Sequence, residues 1–334
     1  MNTNTNKNLS LVADIGGTNA RFALVDNSNS TIFEARSLAC ADYPTLVDAI
    51  KAYLKLADDA KPHRAALSVA TPVASDYLTM TNHSWGFSVN ETRQALGWDS
   101  LKVLNDYTAL ALALPHLPDE ECLQVGRGEK CEGYPKAAIG PGTGLGVSGL
   151  IAVGDHWYPL ESEGGHVSYG PLSERESQII EVVSKRLKHI SVESLVSGPG
   201  ISLLYEVIAG LGKGETKQLK PSQVTELALS GECAMAQEAL SIFCSVFGTV
   251  AGNLALTLGA RGGVYIGGGI IQKMTGFFIA SDFRERFEQH GRLTGYLSQI
   301  PIYLVGSEYP ALIGAMVSLN KEYQTVGIVS HVSS

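Results

Sequence analysis

Apolar residues at the start of the chain come in blocks of strand length, LSLVADI (9–15), RFALVD (21–26) and TIFEARSLA (31–39), separated by polar or glycine turns. Short runs rich in Val, Ile, Leu and Phe predict a three-strand meander. Over YPTLVDAIKAYLKLA (43–57) the apolar positions shift to helical spacing. AALSVA then reads as a buried strand ended at Thr71-Pro72, because the residue before a proline is pushed out of the helical region. A short helix around NETRQALGW, the strand SLKVLND and the apolar helix TALALALP, stopping at Pro115, continue the alternation.

Residues 115–135, PHLPDEECLQVGRGEKCEGYP, are polar and broken by proline and glycine, so they mark a long loop or the passage into a second domain. Beyond them AAIGPGTGLGVSGLIAV repeats the opening device, two apolar strands around a glycine turn. Helices follow in SERESQIIEVVSKRLKH, GISLLYEVIAG and ECAMAQEALSIFCSVFGTVAGNLALTLG, the last with small residues that allow close helix contact. Strands GGVYIGGG and IPIYLVGS precede a final helix, YPALIGAMVSLNKEY, expected to return to the first domain because chain ends commonly lie near each other. The repeated hairpin and the strand-helix alternation imply two related α/β halves. The expected division is a small α/β domain of residues 1–115 plus 308–334 and a large α+β domain of residues 116–307.

Composition narrows the function classes. With 334 residues, 45% hydrophobic and 17% charged, the chain buries a sizeable core and suits two domains better than several small ones. A formal charge of -8 offers no basic field for a nucleic-acid polymer or an anionic membrane, although local amides can still hold phosphate. Five cysteines without C-x-x-C spacing argue against a disulfide framework and for a reducing compartment. The polar start, MNTNTNKNLS, lacks a secretory apolar stretch and reads as frayed; no later stretch of membrane-spanning length escapes charge or glycine interruption. The expectation is a cytoplasmic protein.

The candidate chemistry lies in the glycine turns and a few polar clusters. A hairpin bending through Gly16-Gly17-Thr18 lets backbone N–H groups approach an anion without an intervening side chain, and Asp14 can hold Mg²⁺ nearby, directly or through water. Gly142-Thr143-Gly144 supplies the same device in the second half. The plainer alternative is that these glycines only make turns. Neither turn matches G-x-x-x-x-G-K-[ST], and GPGTGLG runs into strand-like sequence rather than opening a helix, as a dinucleotide fingerprint would. Gly267-Gly268-Gly269 follows a strand and either faces a nucleotide's base or sugar or permits close strand-helix packing. Asn105 and Asp106 end a strand where open α/β sheets expose ligand groups, and a carboxylate there can take a hydroxyl proton during phosphoryl transfer; helix capping is the alternative. Glu161, Glu163 and His166 in ESEGGHVSYG suit several sugar hydroxyls better than a metal, since the spacing lacks H-E-x-x-H and no cysteine is near. Glu193 taken alone reads as a solvated acid.

Together these stretches resemble the bacterial glucokinase family, within the sugar kinase, heat-shock ATPase and actin superfamily. The likeness covers about residues 9–323 through ADIGGTNARFAL, TNHSWGFS, LNDYTALALALP, GPGTGLGV, EGGHVSYGP, ESLVSGPGISLLYE, NLALTLGARGGVYIGGGI and FRERFEQHGR. It implies a two-lobed ribonuclease H-like (actin-like ATPase) fold, a smaller α/β lobe and a larger α+β lobe with a cleft between them. It implies a glucokinase that transfers the γ-phosphoryl group of ATP to the 6-hydroxyl of D-glucose in glycolysis, with Mg²⁺ as cofactor and a homodimer as assembly. The alternatives are a kinase for another hexose or amino sugar, or a sugar-sensing module without turnover. Carried over by position, the phosphate turn falls on Ala13, Asp14, Ile15, Gly16, Gly17 and Thr18, and the second on Gly142, Thr143 and Gly144. The nucleoside-facing glycines are Gly267, Gly268 and Gly269. The sugar contacts are Asn105, Asp106, Glu163, His166 and Glu193, with Asp106 as catalytic base. After His166 the chain lacks the cysteine-rich motif of the related repressor and kinase group, so no zinc is expected; few residues precede the first turn, so no DNA-binding helices are expected either.

Overall fold

A computed structural model describes residues 8–81, 83–212 and 218–320. Most of the polar start, Asn82 of TNHSWGFS and the end of the final helix lie outside the described residues. In chain order the elements are β1 (Leu9–Ile15), β2 (Asn19–Asp26), β3 (Thr31–Ala39), α1 (Leu46–Leu56), β4 (Arg64–Val69), β5 (Tyr77–Thr79), β6 (Gly86–Ser88), α2 (Val89–Ala95), β7 (Ser100–Asn105) and α3 (Asp106–Ala113). Then come β8 (Cys122–Val125), β9 (Lys136–Pro141), β10 (Leu145–Val153), β11 (His156–Ser162), α4 (Glu174–Ser184), α5 (Gly198–Leu211), α6 (Pro221–Leu229) and α7 (Ala234–Leu258). The remainder is β12 (Val264–Ile266), α8 (Gly269–Lys273), α9 (Thr275–Ala280), α10 (Phe283–Glu288), α11 (Thr294–Leu297), β13 (Ile302–Val305) and α12 (Pro310–Ser318).

The chain divides into two compact units. One comprises the residues up to Leu117, Ala152–Glu161 and those from Ser307 on; the other comprises Pro118–Ile151 and Ser162–Gly306. The grouping of Ala152–Glu161 with the first unit is not readable from the loop composition that set the expected boundary.

In the first unit a five-stranded sheet runs in the order β3-β2-β1-β4-β7. β1 pairs antiparallel with β2 and parallel with β4, and β4 pairs parallel with β7. Side chains alternate across a strand, and here both faces are covered. Leu11, Ala13, Phe22 and Leu24 pack with Leu46, Ile50 and Tyr53 of α1. Val12, Ala23, Val25 and Ala66 pack with Leu312 and Ala315 of α12. The final helix therefore does return to the first unit.

In the second unit the sheet order is β11-β10-β9-β12-β13-β8. β9 pairs antiparallel with β10 and parallel with β12, repeating the arrangement around β1. α7 is long and apolar enough to cross a membrane by length and composition, yet its Phe243, Phe247, Val250 and Ala251 lie in the core of this unit. Its Gly252 faces the Phe287 carbonyl, where a Cβ would stand 2.6 Å from that oxygen, so α10 is seated directly on α7.

Candidate active site

The strand ends of the first unit gather its polar groups. Because β1, β4 and β7 are parallel and adjacent, with Asp14 opposite Ser68 and Val69 opposite Asn105, their carboxyl ends bring these residues together, where open α/β sheets expose ligand groups. Asp14 accepts from Arg21 Nη1 at 3.3 Å and from Ser68 Oγ at 3.4 Å. Burial pushes the Asp14 pKa up against the Arg21 charge. The turn itself closes with Gly16 N–H donating to Asn19 O at 3.0 Å. Among the described residues no acceptor engages the Gly17 and Thr18 N–H groups. Ala13 and Ile15 are fully buried, so their side chains support the turn from the core.

Asn105 is the N-cap of α3. Its Oδ1 accepts the Tyr107 N–H at 2.9 Å and the Thr108 N–H at 3.4 Å, and its Nδ2 lies 3.5 Å from Thr71 O. The capping alternative thus describes Asn105 itself. Asp106 is the first helical residue, one oxygen accepting the Tyr107 N–H at 3.0 Å. Burial first, and then the Asp14 charge, raises its pKa to about 7. A carboxylate tuned to that range is matched to general-base work near neutral pH.

In the second unit the turn Gly142-Thr143-Gly144 closes with Gly142 N–H donating to Gly144 O at 2.8 Å, and no acceptor among the described residues engages the Thr143 or Gly144 N–H. A Cβ at Gly142 would meet nothing within 4 Å, so the turn leaves open space beside its backbone. Gly267 N–H donates to Ile139 O at 3.0 Å, which sets the Gly267–Gly269 segment next to β9. Gly268 has φ 93°, a left-handed conformation that favours glycine, and turns the chain from β12 into α8.

Glu163 and His166 lie exposed on the loop after β11, joined by His166 N–H donating to Glu163 O at 3.0 Å. Glu193 is half-buried and adjoins the same loop, its N–H donating to Gly165 O at 2.9 Å. Behind the loop, Glu176 is 2% exposed and accepts from Tyr169 Oη at 2.6 Å, Leu172 N–H at 2.8 Å and Arg286 Nη1 at 2.6 Å. Glu161 falls in the first unit and is not among these contacts. A cavity of about 450 Å³ lined by Arg127, Glu129, Cys131 and Arg261 holds none of the residues expected for the site.

Sequence reading missed Arg21 and Ser68. Arg21 is the cross-strand partner of Asp14 in the first hairpin, so the register of ADIGGTNAR was the available signal. Ser68 comes to Asp14 only through the parallel pairing of β1 and β4, which one strand's pattern does not contain.

Glycine turns at the carboxyl ends of parallel strands in both units, with a buried carboxylate opening a helix in the first, belong to the ribonuclease H-like, actin-like ATPase fold. The sequence profile described as Glucokinase matches residues 11–322. A glucokinase of Aromatoleum aromaticum is 49% identical over 311 residues, 93% of this chain and 94% of that protein. The crystal structure of a glucokinase from an Antarctic psychrotroph aligns with a TM-score of 0.84 at 38% identity, over 93% of this chain and 98% of that one. A Balamuthia mandrillaris glucokinase, solved in complex with glucose, shares the fold with a TM-score of 0.78 at 20% identity, over 93% and 94% of the two chains. The chain belongs to the glucokinase family, ATP-dependent hexose kinases.

Proposed function

We propose that the chain phosphorylates the 6-hydroxyl of D-glucose from ATP, with Asp106 as the base. The observation that carries this reading is the alignment of Asp14, Ser68 and Asn105-Asp106 at the carboxyl ends of three adjacent parallel strands. Phosphoryl transfer needs positioning and charge stabilisation more than covalent chemistry, and free N–H groups at both glycine turns supply donors for phosphate oxygens.

The ionised Asp106 takes the proton of the attacking hydroxyl. Asn105, Glu163, His166 and Glu193 bind the remaining hydroxyls, so that an epimer leaves some of these groups unpaired. Asp14 is a hard oxygen donor, and one or two carboxylates completed by phosphates and water are the usual protein share of a magnesium site. Magnesium, when bound, neutralises phosphate charge. Arg21, half-exposed beside Asp14, is a further donor for phosphate. The nucleoside side falls to Gly267–Gly269. A cytoplasmic location and a homodimer belong to the same reading, supported by the free cysteines and the family likeness.

A coupled assay of sugar phosphate formation with glucose, mannose, N-acetylglucosamine and fructose, with and without Mg²⁺, tests it. The expected result is Mg²⁺-dependent turnover with the highest kcat/KM for glucose. Equal kcat/KM across the sugars would overturn the glucose assignment, and no product from any sugar would overturn catalysis.

A further inference from the structure

The second glycine turn and the loop carrying Glu163 and His166 meet on one carboxylate. Glu193 Oε2 accepts the N–H of Leu145, the residue directly after Gly142-Thr143-Gly144, at 2.8 Å. A Cβ at Gly144 would overlap that same oxygen and stand 3.2 Å from Glu193 Cδ, whereas a Cβ at Gly142 would stand in open space. The Glu193 main chain is held as well, through its N–H bond to Gly165 O. Gly165 in turn leaves no room for a Cβ against the carbonyl oxygen of Leu145. Gly198 N–H, five residues beyond Glu193, donates to Gly142 O at 2.8 Å.

These contacts fix both ends of the Glu193 side chain. A carboxylate has two oxygens and about four acceptor directions. One oxygen is occupied by Leu145, and among the described residues nothing engages Oε1. The side chain is therefore aimed before any ligand arrives, which removes rotamer freedom that binding would otherwise have to restrict.

We infer that Gly144 is a positioning residue for the sugar: by carrying no side chain it lets the Leu145 N–H aim Glu193, so the turn assigned to phosphate also sets the affinity for glucose in the absence of nucleotide. This rests on Glu193 being a sugar contact. Gly144 touches neither the sugar nor its reacting oxygen in this scheme; it acts through Glu193.

The test is the glucose dissociation constant by calorimetry without nucleotide, for the wild type and for Gly144→Ala, Gly142→Ala, Glu193→Ala and Glu193→Gln, with KM for ATP measured alongside. Hydrogen bonds to charged groups of this kind correspond to roughly tenfold or more in affinity, so Gly144→Ala is expected to weaken glucose by about that factor. Gly142→Ala is expected to raise KM for ATP and leave glucose binding unchanged. Glu193→Gln, whose amide oxygen still accepts from Leu145, is expected to keep more affinity than Glu193→Ala. Wild-type glucose affinity in Gly144→Ala, with affinity lost in Glu193→Ala, would overturn the inference while leaving Glu193 a sugar contact. Wild-type affinity in Glu193→Ala would overturn both. Should Gly144→Ala fail to fold, the glucose dissociation constant of Glu193→Gln decides: affinity clearly above that of Glu193→Ala supports the aiming by the Leu145 N–H, and affinity no better than that of Glu193→Ala overturns it.

Discussion

Asp106 opens α3 with one oxygen on the Tyr107 N–H, and burial together with the Asp14 charge lifts its pKa to about 7. A folded pKa above the unfolded value near 3.8 means that the fold favours the protonated form. That stability is fully present below the unfolded value and is lost as pH rises through about 7. Catalysis asks for the opposite state, so the residue trades stability for activity. Asp106→Asn, neutral at every pH, is expected to melt higher than the wild type at pH 8, with the difference shrinking toward pH 5; melting curves at the two pH values check it. The same variant is expected to lose at least about 10²-fold in kcat. In the wild type kcat/KM is expected to fall on the acid side of about pH 7, where the base becomes protonated, and a flat profile through pH 6 would remove Asp106 from that role.

Two tightly seated elements dominate the next scale. Glu176 at the start of α4 and Arg286 of α10 form an ion pair at 2.6 Å with side-chain exposures of 2% and 13%; burial pushes the Glu176 pKa up, but Arg286, the Leu172 N–H and the Tyr169 hydroxyl together outweigh it and hold the pKa below the usual range. Removing one partner of a buried pair strands the other charge, so Glu176→Ala is expected to cost about 3–5 kcal/mol. A denaturation midpoint unchanged from the wild type would contradict that. The contact of α3 with α12 is closer still: a Cβ at Gly314 would fall inside the Ala109 carbonyl. Gly314→Ala is therefore expected to destabilise by about 1–3 kcal/mol or more through overpacking, read in the same experiment. Elements this regular were legible beforehand where period and length agreed. β1, β2, β4, β7, the β9–β10 hairpin and α7 follow their apolar patterns, and β3 forms where its length and Ile, Phe and Leu content place it although none of its residues is fully buried. β8 did not, because CLQV lies between charged residues and only Val125 is buried; β11 did not, because HWYPLES contains proline and no fully buried residue. The short α8 to α11, four to six residues each, are fixed by packing rather than by any periodicity they could display.

For the molecule as a whole, ligand linkage offers a reading independent of turnover. Glucose at about 100 times its dissociation constant is expected to stabilise the chain by about 2.7 kcal/mol, visible as a raised melting temperature. Asp106→Asn is expected to keep most of that shift while losing product formation, which separates sugar binding from proton removal. Light scattering at several concentrations checks the homodimer, and a constant monomer mass would exclude it.

The sequence by itself determined the turns, the order of the main elements and the kinase family, because glycine turns, apolar periods and long motifs are local properties of the chain. Tertiary structure alone decided that Ser68 reaches Asp14, that Asn105 spends its oxygen on a helix cap, and that Glu193 is aimed by the Leu145 N–H. Each depends on pairing between segments far apart in the chain, and neither a strand's register with its parallel neighbour nor the burial that lifts the Asp106 pKa is written in any single stretch of residues.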